Sequence, residues 1–241
     1  MSESEVTLSC ASSEPGVRTG HLVDRIDTYR ELSRLLYGPE EIAADSVVRL
    51  VSATRSCRCM PYIDEDLIQS LSREAFLELL GSDTRREFAI ERAQLFGECG
   101  CDPLANIVPP CESTYLDVGD GERVDSVLEA YAHAGYAPPQ RLAALNCPDH
   151  IATELDFMAH CLERVSLDAA SAGCAHDFFA DHLAGWAVLF AVATERRATH
   201  MAMRYTALML DKFLACEAVT FKYSVPSLCA LRGLSPECAE V

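Results

Sequence analysis

Apolar residues recur along most of this chain at the three-and-four spacing of an amphipathic helix, and no run alternates with period two. Leu22, Ile26, Tyr29, Leu32 and Leu36 form one such series, closed by Gly38-Pro39, and predict a first helix over about 22–36. Pro39-Glu40-Glu41 makes a good first turn, with proline where no N–H is needed and carboxylates at the positive end of the helix dipole. A second helix is therefore expected over about 39–53. Others are expected over about 64–80, 84–96 and 122–134, closed by Gly81-Ser82, Gly97 and Gly135. The clearest series is Ile151, Leu155, Met158, Leu162 and Val165, which follows Pro148 and predicts a central helix with Asp149 and His150 in its first turn. Beyond a break at Ser171-Ala172-Gly173, Phe179, Leu183, Trp186 and Phe190 share a face, and a mostly apolar last helix is expected over about 195–221. The pattern predicts an all-α protein: one helical-bundle domain over 21–226, with a flexible N-terminus at 1–20 and a loose tail at 227–241. Between Gly97 and Gly121 lies a long non-periodic stretch, of a length that is uncommon in compact domains unless it has a task.

Charge narrows the partners. Lys and Arg number 20 against 37 Asp and Glu, a net charge of −17. Such a field repels nucleic acid and anionic membrane surfaces and favours basic peptides. Met1–Gly20 is rich in Ser and Glu, without the basic start and apolar core of a signal peptide, and the apolar stretch at 183–194 is too short to span a bilayer. A cytoplasmic location without membrane insertion is the expectation. In that compartment the 12 cysteines are expected to be reduced, many of them acting as small apolar residues.

Several groups of residues carry candidate chemistry. Asp149 and His150, at a helix mouth, are either capping residues or part of a small polar site that receives a ligand, and spacing does not choose between these. Cys57-Arg58-Cys59 and Cys99-Gly100-Cys101 could together offer four thiolates for zinc or an iron–sulfur cluster, although structural zinc sites more often use two intervening residues. His176-Asp177, with His150 and Asp211, is the outline of a metal-dependent phosphohydrolase on a helical bundle. His-Asp dipeptides are also common by chance. Cys147 stands before a helix N-terminus with His150 three positions on, but no oxyanion-hole motif accompanies the pair. Neither G-x-x-x-x-G-K-[ST] nor G-x-G-x-x-G occurs, so nucleotide binding has no motif support.

Four pieces occur in a telling order. They are Leu95-Phe96, then Pro109-Pro110-Cys111-Glu112-Ser113-Thr114-Tyr115-Leu116, then Pro148-Asp149-His150-Ile151 with Glu154-Leu155 and Phe157-Met158, and last His182-Leu183 with Trp186 and Phe190. In these the chain resembles the TorD/DmsD/NarJ family, cytoplasmic maturation chaperones of molybdenum-containing redox enzymes. The resemblance implies an all-helical chaperone, not an enzyme. It would bind the twin-arginine signal peptide of a molybdoenzyme catalytic subunit, and hold that client until its cofactor is inserted. It further implies a peptide pocket at Asp149 and His150, lined by Pro110, Cys111 and Tyr115, with Phe96 beneath. A peptide with two guanidinium groups and an apolar run needs carboxylates beside an apolar groove. Glu112 or Glu154 is expected to join Asp149 in the first role if the loop folds over, and Trp186 and Phe157 to join Tyr115 and Phe96 in the second. The chain departs from the family at Asn146, where Glu is usual, and at Cys111, where an aromatic is frequent. No cofactor is expected in the chain itself, which would be a monomer or a helix-swapped dimer. Members of the family have been linked to guanine nucleotides, but nothing in this sequence marks a place for one.

Overall fold

The computed structural model describes residues 15–54, 65–97, 106–116, 121–167 and 172–222. Cys57, Cys59, Cys99 and Cys101, residues 1–14 of the expected N-terminal segment and all of the expected tail lie outside the described residues. Among the described residues the architecture is all-α, with no strand beyond one isolated bridge. The helices are α1 (Pro15–Leu36), α2 (Glu40–Thr54), α3 (Glu65–Glu78), α4 (Ser82–Phe96), the short α5 (Glu112–Tyr115), α6 (Glu122–Ala134) and the short α7 (Gln140–Ala143). There follow α8 (Ile151–Leu167), α9 (Ala172–Phe178), a π-helical turn at Phe179–Leu183, α10 (Ala184–Arg197) and α11 (Met201–Thr220).

α8 is the axis. Ile151, Ala152, Leu155, Phe157, Met158, Ala159 and Leu162 are all buried, so it carries apolar residues around most of its circumference. α1 packs along it, and Ser33 Oγ donates to Ala152 O at 2.7 Å across that contact. Phe157 meets Tyr131, Tyr136 and Phe178 at ring-centroid distances of 4.6, 5.2 and 4.5 Å, an aromatic knot that ties α6 and α9 to the middle of α8. Truncating it to alanine would cost about 3–5 kcal/mol. A second contact surface runs between α10 and α11, and α11 also reaches α3 and α4.

α1 and α11 are joined by a buried ion pair. Arg25 Nε and Nη2 donate to Glu217 Oε1 and Oε2 at 2.6 and 2.8 Å, and Tyr29 Oη donates to Oε2 at 2.9 Å. The fork geometry satisfies both carboxylate oxygens, as burial of such a pair requires.

α1 begins at Pro15, ahead of the predicted start at 22 and inside the segment 1–20 expected to be flexible. Two further boundaries differ from the sequence pattern. The apolar series that predicts one helix over 195–221 is interrupted at Ala198–His200. This turn is docked on α4, where the Glu91 carboxylate accepts from the backbone N–H groups of Thr199 and His200 at 2.6 and 3.0 Å. His200 then caps α11, its Nδ1 accepting from Ala202 N–H at 3.2 Å, while Glu78 accepts from Met201 N–H at 2.9 Å. The second difference lies at the start of α8, and it shapes the site.

Candidate functional site

Asn146 adopts left-handed backbone with φ 51°, a conformation asparagine tolerates better than most residues. The departure at Asn146 thus has a local cause: it makes the turn that leads into Cys147-Pro148-Asp149. Tyr131 Oη holds this turn by donating to Pro148 O at 2.9 Å. Pro148, Asp149 and His150 therefore precede α8 instead of forming its first turn.

Against this turn lies the segment 106–116. Gly97 closes α4 with φ 79° and ψ 165°, a region essentially reserved for glycine, and a Cβ there would meet Asn106 Oδ1 at 2.2 Å. Val108 N–H donates to Leu95 O at 2.8 Å, which returns the chain to the core beside Phe96. Cys111 then pairs antiparallel with His150: Ile151 N–H donates to Pro110 O at 2.8 Å, and Glu112 N–H to Asp149 O at 3.0 Å. Two stretches about 40 positions apart in sequence, each expected to line one pocket, are in this way brought together by backbone bonds.

Asp149 and His150 are both caps, for different helices. Asp149 Oδ2 accepts from Ser113 N–H at 2.9 Å and so caps α5, while its Oδ1 accepts from Cys147 Sγ at 3.2 Å. His150 Nδ1 accepts from Ala152 N–H at 3.1 Å and caps α8. That bond fixes Nδ1 as the unprotonated nitrogen, and burial pushes the imidazole pKa down to about 3. Asp149 was expected to complement the dipole of α8; its carboxylate serves the neighbouring helix instead.

Beneath the turn two glutamates are fully buried. Glu112 Oε2 lies 2.9 Å from His182 Nδ1, and its Oε1 lies 3.4 Å from Arg123 Nη1, which also donates to Asp181 O at 2.9 Å. Glu154 has less company. Its Oε2 accepts from Trp186 Nε1 at 3.2 Å, while Oε1 has no hydrogen-bond partner among the described residues. Burial raises the Glu154 pKa well above the usual carboxylate range, and the charges of Glu112 and Asp149 push it in the same direction.

The apolar part of the expected pocket is also assembled. Tyr115 stacks obliquely on Trp186 at 5.4 Å, Trp186 meets Phe190 at 6.1 Å, and Phe190 meets Phe96 at 5.3 Å. Of these, only Tyr115 is partly exposed; Phe96, Pro110, Cys111, Glu112, Asp149, His150, Glu154 and Trp186 are buried. Phe157, expected beside them, sits instead in the aromatic knot with Tyr131 and Phe178. His182 and Arg123, which hold Glu112, were not among the expected site residues. His182 stands in the last of the four sequence pieces, which was a usable signal; nothing local marks Arg123.

Among the described residues, the Cys–His and His–Asp arrangements do not form a site. Cys147 contacts Cys111, with sulfurs 3.1 Å apart, and Asp149, while the His150 nitrogen that could serve as its base is occupied by Ala152 N–H. Cys111, Cys147 and Asp149 are the one trio among the described residues whose metal-ligating atoms all lie within 4.8 Å of one another. Two sulfurs on tetrahedral zinc, with Zn–S about 2.3 Å, stand about 3.8 Å apart. The 3.1 Å spacing fits a hydrogen-bonded chain better than a ligand set. His176 and Asp177 are exposed and meet each other, Nδ1 to Oδ1 at 3.0 Å; no close metal-ligating trio forms around them among the described residues.

A profile of the nitrate reductase delta subunit family matches residues 64–192, more than half of the 241. The chain belongs to that family. The matched span runs from the start of α3 into α10 and contains every residue of the candidate site. No curated protein matches the sequence. The nitrate reductase delta subunit family consists of maturation chaperones for molybdenum enzymes, and a general chaperone role on a molybdoenzyme subunit comes with membership. Among the described residues no helix is long and apolar enough to cross a membrane.

Proposed function

We propose that this chaperone binds the twin-arginine signal peptide of a molybdoenzyme catalytic subunit in the cytoplasm, and holds that subunit for cofactor insertion before export. The observation that carries the proposal is a group of three buried carboxyl groups, Asp149 and Glu112 close enough for their charges to act on Glu154, which is hydrogen-bonded to Trp186 where that ring meets Tyr115. The arrangement already accommodates one guanidinium, since Arg123 approaches Glu112 at 3.4 Å. Binding begins with the segment 106–116 lifting away from the turn at 147–150. The client's first arginine then takes the position beside Glu112, and its apolar run lies along Tyr115 and the rings below. The net charge of −17 draws the basic peptide in from solution.

Calorimetric titration with a twin-arginine signal peptide, and with the same peptide carrying alanine at both arginines, tests this at two salt concentrations. Binding that needs the arginines and weakens with salt is expected. Asp149→Ala with His150→Ala, which removes both caps, should weaken binding at least tenfold while the far-ultraviolet helix signal persists. Equal affinity for the two peptides would overturn the proposal, as would unchanged affinity in the double variant.

A further inference from the structure

A second pair of sulfurs joins α8 and α9. Cys161 on α8 and Cys174 on α9 have their Sγ atoms 3.1 Å apart, each able to donate to the other. Cys161 is buried, with 1 % of its surface exposed, whereas Cys174 is only partly covered. Both line a cavity of about 630 Å³ between α6, α8 and α9, whose wall includes Arg164, Asp177 and Phe178. The pair therefore borders the cavity with its more exposed sulfur on Cys174, and there is space in front for a small molecule.

We propose that Cys161 and Cys174 form a reversible dithiol–disulfide couple that exchanges with small disulfides of the glutathione class entering this cavity. The division of labour follows from position. Cys174 is the attacking sulfur, because it is the more exposed of the two; Cys161, almost fully buried and 3.1 Å away, is the resolving one. Electrostatics agree. The hydrogen bond from Cys161 and the positive charge of Arg164 lower the Cys174 pKa to about 7, against desolvation and the nearby Asp177 carboxylate, whereas the Cys161 thiol is raised.

The exchange balances as two displacements. The Cys174 thiolate attacks one sulfur of the small disulfide; that S–S bond breaks, and the first small thiolate leaves and takes up a proton. Cys161 then attacks Cys174 Sγ in the mixed disulfide. The new Cys161–Cys174 bond forms, the second small thiolate departs, and it takes the Cys161 proton. Two protein thiols are oxidised and one small disulfide is reduced to two thiols. Bond formation needs the sulfurs to close by about 1 Å, to the normal length of about 2 Å. α9 is thereby tethered to α8 at the cavity wall.

The test is equilibration of the full chain in glutathione buffers of graded oxidation, followed by acid quench, alkylation and peptide mass mapping. A Cys161–Cys174 disulfide is expected in the wild-type chain, reversed on return to reduced glutathione. In Cys161→Ser the reaction should stop at a glutathione adduct on Cys174, and Cys174→Ser should carry neither product at this site. The wild-type map decides the matter should the serine variants fold poorly. Full alkylation of both cysteines after oxidation, or pairing of Cys174 with any other cysteine, would overturn the proposal.

Discussion

Replacing Glu154 by glutamine separates charge from shape at a fully buried acid of the site. The side chain is fully buried, one oxygen accepts from Trp186, and the other has no partner among the described residues. Burial first, then the charges of Glu112 and Asp149, raises its pKa in the folded chain. The sign of the resulting pH dependence is fixed. Below the unfolded value of about 4.5 both states hold the proton, and the shift has no effect on stability. Above it the unfolded chain releases the proton while the folded chain retains it, so stability falls as pH rises, by about 1.4 kcal/mol per pH unit, until the folded pKa is reached. Glutamine is neutral throughout and keeps an acceptor for the indole N–H. Its amide group adds a constant offset of about 1–3 kcal/mol if no acceptor faces it. The difference in unfolding free energy between variant and wild type should therefore climb in favour of the variant from about pH 5 upward, at about 1.4 kcal/mol per unit. Trp186 is the chain's single tryptophan and touches the mutated group, so urea unfolding followed by its fluorescence reads the effect locally. Parallel stability curves for the two proteins between about pH 5 and pH 8 would refute a protonated Glu154.

His150 acts in the opposite direction. Its folded pKa of about 3 lies below the ordinary 6.5, so its contribution is complete above about pH 6.5 and is lost as the pH falls towards 3. His150→Asn, which keeps an acceptor for Ala152 N–H, should flatten the acid side of the stability profile measured by urea unfolding. Glu217→Ala strands the buried Arg25 guanidinium and should lower the unfolding free energy by about 3–5 kcal/mol. Glu217→Gln should lose less, because it still offers an acceptor. Gly97→Ala forces a side chain into its special backbone region and against Asn106, and should cost about 1–3 kcal/mol in the same assay.

The helices were legible because their information is local. The apolar series of α1, α6 and α8 and the closing glycines at 97 and 135 each act within a few turns of chain, and Gly135 does end α6 in left-handed backbone with its N–H on Ala132 O. The candidate site residues were named only through their resemblance to a known order of motifs, and backbone bonds bring two of those stretches, around Cys111 and His150, together. What stayed hidden is non-local. The bridge between Cys111 and His150 exchanges bonds between residues far apart in sequence, so no periodicity reveals that Asp149 caps α5 and not α8. The break before α11 depends on Glu91 and Glu78, which from their own surroundings look like ordinary helix-surface acids. Burial of Glu112 and Glu154 was equally invisible, since their partners Arg123, His182 and Trp186 arrive from other helices.

The ion pair between α1 and α11 has a consequence for synthesis. Arg25 and Glu217 are 192 positions apart, so at about 5–20 residues per second the arginine is made about 10–40 s before its partner. Throughout that interval Tyr29 and Arg25 lack the carboxylate that anchors them, and the family-matched span, which ends at residue 192, is completed before Glu217 is made. The α1–α11 ion pair can form only once residue 217 has been made. A ribosome-bound chain can thus hold every residue of the candidate site before the bond between α1 and α11 can form.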